Sequence, residues 1–219
     1  MTPELRKEAS ELILHKRGIR INVQLHVIEA DEEVQLRSAD EVVQRLLALW
    51  LVYRSATGSM HRSQVPAQLL PFLSPAEAAF IDAPSSTAES KETARASLQA
   101  LIFLSWCAGL LPQLELNQHP KKFALTTERL LSQFPDIEQV HSATALHQAV
   151  KLRRKSQIMD WSDLLYRLHW AVRHAALTSK PAPGNIDEVM VKEWHRAVNW
   201  MCRYDDEDNW DKVSTETSA

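Results

Sequence analysis

Glycine is nearly absent from this chain: 219 residues hold four, Gly18, Gly58, Gly109 and Gly184. So few glycines leave no Gly-x-Gly-x-x-Gly fingerprint, no P-loop and no Gly-x-Ser-x-Gly elbow, which excludes nucleotide cradles of those kinds and the α/β-hydrolase nucleophile. Cysteine is scarcer still. Cys107 and Cys202, far apart and in apolar surroundings, make neither a disulfide framework nor a zinc knuckle and read as buried free thiols. No apolar run approaches the roughly 18–20 residues of a membrane span. The opening Met-Thr-Pro-Glu-Leu-Arg-Lys-Glu is acidic where a signal peptide is basic. A cytoplasmic protein off the membrane is therefore expected. Excess positive charge is also missing: the net charge is −3, and the one basic cluster, Lys151, Arg153, Arg154 and Lys155, has no interleaved aromatics and reads as a solvated helix approach. A nucleic-acid partner is not expected. None of the nine histidines has another four residues on, the spacing that puts two imidazoles on one helical face. Neither a metal nor a cofactor is expected.

What is present is a composition that folds: 45% hydrophobic, 24% charged and seven tryptophans. The pattern predicts a mainly α, bundle-like single domain over residues 1–219. Thr2-Pro3 opens a first helix whose apolar residues are Leu5, Ala9, Leu12 and Ile13. The boxes Ser38-Ala39-Asp40-Glu41, Ser74-Pro75-Ala76-Glu77 and Ser86-Thr87-Ala88-Glu89 open three more. Gly18, Gly58 and Gly109 close periodic stretches, as left-handed terminating residues do. Residues 19–28 alternate apolar and polar, which predicts a short strand or extended segment. Residues 82–87 read as a linker, 110–136 as weakly structured (proline at 112, 120 and 135 divides them), and 204–219 as a docked acidic tail. Short helices are expected at 125–131 and 137–150. Residues 158–177 and 186–203 predict an antiparallel hairpin across Pro181-Ala182-Pro183-Gly184.

That hairpin carries the functional expectation. On a helical wheel Trp161, Leu164, Leu165, Leu168, Val172 and Ala175 form the apolar face. Asp160, Asp163, Arg167, Trp170 and His174 share another arc of about 80°, with Tyr166 alongside. In the second helix Glu193 sits inside the apolar arc of Ile186, Met190, Ala197, Trp200 and Met201. A buried carboxylate needs a partner, and the hairpin geometry points to Arg167 or His174. His195 and Asn199 fall on the opposite, more polar side. Trp210, after the acidic run 205–208, is expected to anchor the tail.

Gly18-Ile19 through Asn22, Leu36-Arg37-Ser38 with Glu41 and Arg45, Ile158 and Asp160 with Asp163, Tyr166-Arg167, His169-Trp170-Ala171, Glu193, His195, Asn199-Trp200 and Trp210-Asp211 with Thr215 and Thr217 together resemble the bacterial domain-of-unknown-function family 4272. Trp194 departs from that pattern, standing where the family tends to carry Arg, and Glu216 stands where Asp is usual. The resemblance implies a cytosolic bacterial protein and transfers no catalytic residue. Two classes of function stay open. One is a non-catalytic module whose C-terminal hairpin and tail bind a protein partner or itself. The other is a hydrolase or other small-molecule enzyme with an Asp/His/Glu pocket at the hairpin, with or without a metal, built from Asp160, Asp163, His174 and Glu193.

Overall fold

Small polar side chains set where the helices begin. Thr2 accepts from the Leu5 amide to open α1, Pro3–Lys16. Ser38 and Glu41 cap each other's backbone amides at the start of α2, Ala39–Ala56, and Ser74 with Glu77 does the same for α3, Pro75–Asp82. The helices α4, Ala88–Cys107, α5, Pro120–Leu131, α6, Ser142–Ala149, α7, Lys155–Leu177, and α8, Glu188–Met201, follow, with short 3-10 turns between some of them. The computed structural model describes residues 1–82, 88–117, 119–134 and 142–217, and among these there is no strand.

The helices pack in the order α2, α4, α8, α7, α1, with α3 and α6 also on α2. Burial follows from sequence. Residues from Val42 to Val52 of α2 are apolar nearly all round and are almost all buried, as befits a helix covered on several sides. The rings of Phe103, Trp106, Trp161 and Trp194 meet at centroid distances of 5.7–6.3 Å, locking α4, α7 and α8 together. Gly109 ends α4 with φ +77°, and a Cβ there would lie 2.6 Å from the Lys151 carbonyl oxygen. That closeness lets residues 151–153 run along the helix end, where Lys151 and Arg153 amides donate to Ala108 and Cys107 carbonyls.

Several expectations change. Residues 19–28 form no ladder: Ile19 and Leu25 are buried, whereas Val23 and Val27 face solvent. Their carbonyls are satisfied by helix side chains instead, Val23 and Leu25 by Lys7 Nζ (2.7 and 2.8 Å) and His26 by Arg167 (3.0 Å). The segment is irregular chain with a turn at Val23–Gln24, closed by the Leu25 amide on the Asn22 carbonyl at 3.2 Å. Within 110–136, proline at 120 starts a helix rather than breaking one, so α5 begins five residues earlier than expected; Pro lacks only an amide that the first turn leaves unpaired. Asp82 ends α3 rather than opening a linker. The remainder of that linker and the start of the expected 137–150 helix lie outside the described residues. The basic cluster is not simply solvated: Arg153 donates to the Trp106 and Leu111 carbonyls, and Lys155 to those of Asp31 and Val34.

Candidate functional site

The polar stripe of α7 divides among different neighbours. Asp160, half exposed, accepts from Arg6 Nε at 2.9 Å. One turn on, Asp163 is fully buried and takes a bidentate pair of bonds from Arg167, Nε at 2.9 Å and Nη2 at 2.8 Å. Arg167 also donates to the His26 carbonyl, and its Nη1 lies 3.8 Å from Glu11. Trp170 stacks on His174 at 4.9 Å and 13°, and His174 Nε2 lies 2.9 Å from Arg20. Tyr166, half-buried, has Arg167 over its ring at 5.8 Å, and burial raises its phenol pKa. The charged members of the stripe are thus taken up by α1, the 19–35 segment and each other.

Glu193 corrects the hairpin reading. It is buried, but its partner is Arg196 at 2.5 Å, three residues on, and not Arg167 or His174. Burial raises its pKa against the opposing pull of Arg196 and Lys192. The reason is that α8 lies between α4 and α7, so it has two buried faces; Glu193 shares its cavity wall with Thr93 and Ser97 of α4 and with Trp210. The face read as the opposite, more polar side is the one packed on α7. His195 and Asn199 are both buried there, His195 Nδ1 lying 2.9 Å from His169 Nδ1 and Asn199 Nδ2 lying 3.3 Å from His195 Nε2. Asn199 Nδ2 also donates to the Ser214 carbonyl at 2.9 Å. If the amide donates to Nε2, the proton of His195 sits on Nδ1 and points at His169, whose own proton then sits on Nε2. Burial is the main force holding both imidazoles neutral, lowering His169 to about 4 and His195 to about 3.

His195 of this pair borders a cavity. Tyr166, His195, Asn199, Ser162, Glu29 and Asp205 line about 270 Å³, and a neighbouring space of about 300 Å³ shares Glu29, Ser162, Asn199 and Asp205. Its rim carries Arg203, Asp205 and Asp206 in left-handed conformation, φ 52–57°. A larger cavity, about 430 Å³, lies between α2 and the tail and is walled by Arg37, Arg45, Trp200 and Trp210. Here guanidinium and indole groups alternate: Arg37 over Trp200 at 4.7 Å, Arg45 and Arg196 over Trp210 at 4.7 and 4.5 Å. Carboxylates complete it, Glu77 on Arg45 at 2.5 Å and Glu41 on both Arg37 (3.0 Å) and Arg203 (2.7 Å). Asp211 bonds the Ser74 hydroxyl and the Ala76 amide at 2.6 and 2.9 Å, tying Trp210, which is buried, to the start of α3.

Wheel reasoning on the hairpin missed this α2–tail cluster, because its members stand at opposite ends of the chain. The signal was present in the 37, 41, 45 spacing, which puts Arg37, Glu41 and Arg45 on one side of the α2 entry. His169 was also missed as a partner of His195. Among the described residues, no group of three or more His, Cys, Asp or Glu is arranged to hold a metal ion, and no helix is long and apolar enough to cross a membrane.

The class so defined is an all-helical protein with a polar and aromatic cluster near its C-terminus. The family model for the domain of unknown function DUF4272 matches residues 6–213, and the chain belongs to that bacterial family. No curated protein and no solved structure matches it.

Proposed function

We propose that this protein is a non-catalytic protein-interaction module, one helical domain whose C-terminal polar-aromatic network is scaffold rather than reaction centre. The observation that supports this most is the saturation of the stripe first suspected of chemistry. Asp160, Asp163, Arg167 and His174 each bond a protein group, Trp170 is stacked on His174, and Glu193 is paired within α8. A catalytic acid or base must reach substrate, and a fully buried carboxylate locked by two guanidinium bonds does not. One exposed apolar surface open to a partner is the outward face of α1, where Leu5, Leu12 and Ile13 are exposed.

A photo-crosslinking amino acid in place of Leu12, expressed in the native host, tests this. The expected result is one discrete protein adduct, absent when the same probe replaces the exposed Glu32. No adduct, or the same adducts from both positions, overturns the reading.

A second reading is an enzyme working from the cleft at Tyr166, His195 and Asn199. It is favoured by a neutral imidazole at a cavity wall beside Glu29 and Asp205. Turnover of ester, phosphoester or glycoside reporters, with and without divalent metals, that disappears in His195→Gln would support it. No turnover of any reporter counts against it.

A further inference from the structure

Two adjoining spaces, among α7, α8, the 26–35 segment and the tail, share a polar floor. Ser162 and Asn199, 8% and 7% exposed, line both of them. Among the described residues the Ser162 hydroxyl bonds no group. Asn199 uses only its Nδ2, on the Ser214 carbonyl and His195 Nε2, so that its Oδ1 accepts from nothing. Buried oxygens left in that state are costly unless something inside the cavity donates to them. Water can donate, but it answers no charge, and the charge around these two oxygens is of one sign.

Glu29 and Asp205 line both spaces, Glu33 and Asp206 the first, and Glu216 the second. Among the described residues none of these five carboxylates is in an ion pair. The arginine in this wall, Arg203, is drawn away by Glu41, at 2.7 and 2.9 Å, and by Asp208 at 3.2 Å. Burial raises the Tyr204 phenol pKa, and Asp205, Glu29 and Glu216 each raise it further, as converging negative charge does. Elsewhere the buried acids are met by arginine, Asp163 by Arg167 and Glu77 by Arg45. Here the cation has to come from outside the chain.

The chemistry of the walls says which cation. A metal ion fits poorly, since among the described residues no group of three or more His, Cys, Asp or Glu is arranged to hold one. An ammonium group has three donors and no acceptor, which suits Ser162 Oγ, Asn199 Oδ1 and the carboxylates together. The Tyr204 ring, lining both spaces, offers it an aromatic face. Val34 and Met159 in the first space, with Val27 and Ile28 in the second, offer apolar wall for a methylene chain. Carboxylates in both spaces answer more than one positive charge. At about 300 and 270 Å³ the two spaces together reach the size of small-molecule sites.

We propose that this double cavity binds a free aliphatic di- or polyamine, its ammonium groups held by Ser162, Asn199 and the carboxylates of Glu29 and Asp205. The site goes beyond the interaction-module reading and requires no turnover.

Calorimetric titration of the full chain with spermidine, putrescine and butylamine at low salt, where such contacts are least screened, tests the proposal. The expected result is saturable binding of spermidine and putrescine, with butylamine weaker on the order of tenfold or more. Glu29→Gln/Asp205→Asn changes two exposed side chains and should weaken spermidine on the order of tenfold. Ser162→Ala should weaken it several-fold, while Glu8→Gln, an exposed acid on α1, should leave it unchanged. No binding of any of the three amines, by calorimetry and by equilibrium dialysis, overturns the proposal. Equal weakening by Glu8→Gln also overturns it, because the amines are then only condensing on diffuse charge. Tighter binding of a capped Ala-Lys-Ala peptide, or of magnesium chloride, replaces the free amine with a partner's side chain or a metal and sinks it too. Each of these failures leaves the Leu12 crosslink, and with it the interaction-module reading, untouched.

Discussion

At the residue scale, Asp163 and Arg167 set the terms for the whole C-terminal network. Both are essentially without solvent, and each answers the other's charge with two bonds. Asp163→Asn would leave a buried guanidinium without its counter-ion, which costs about 3–5 kcal/mol. Replacing both by Leu and Met should recover much of that loss, as urea unfolding of the single and double variants will measure. The histidine pair gives a pH signature of definite sign. Folded His169 titrates near 4 and His195 near 3, below the ordinary 6.5. The unfolded chain therefore takes up these protons first as pH falls, and stability present above about 6.5 is lost progressively toward pH 4–3. His169→Gln should flatten the slope of unfolding free energy against pH in that window by up to one proton's worth. An unchanged slope would mean that the pair is not held neutral.

At the element scale, what decides orientation is how many neighbours a helix has. α8 is packed on two sides, so a carboxylate and an imidazole on different faces are both buried, Glu193 toward α4 and the tail, His195 toward α7. Among the described helices α1 packs chiefly on α7, and it uses its polar side to do so. Single-site stabilities at low concentration separate the two faces of α1. Leu14→Ala, on the inner face, should cost about 2–5 kcal/mol. Leu12→Ala, on the outer face, should stay within about 0.5 kcal/mol. Comparable losses at both positions would mean that α1 lies the other way over.

At the scale of the whole molecule, the tail closes a loop from the last helix back to the second. Arg37 donates to the Trp200 and Glu207 carbonyls and to the Asp208 carboxylate, and Trp210 with Asp211 reaches the start of α3. Glu41 sits among these donors. Burial alone would raise its pKa, but the Ser38 amide and Arg37 outweigh it and bring it down to about 2. Trp210→Ala removes the ring held between Arg45 and Arg196 and should cost about 3–5 kcal/mol. Amide exchange should then rise both in the tail and around residues 36–41 and 74–77. Faster exchange confined to the tail would show that the clamp contributes nothing to α2 and α3.

The helical class, the capped starts of α1, α2 and α3, the hairpin and the burial of Trp210 and Glu193 were all legible from residue order, because propensity, capping and local periodicity act over a few residues. The partner of Glu193, the outward face of α1, the unpaired 19–28 segment and the α2–tail cluster were not. Each depends on which helices lie beside which, and a wheel knows only its own helix. A periodic apolar stripe says that something covers a face. Which side of α1 turns inward was decided here by Arg6, which reaches Asp31 and Asp160 while Leu5 and Leu12 stay exposed.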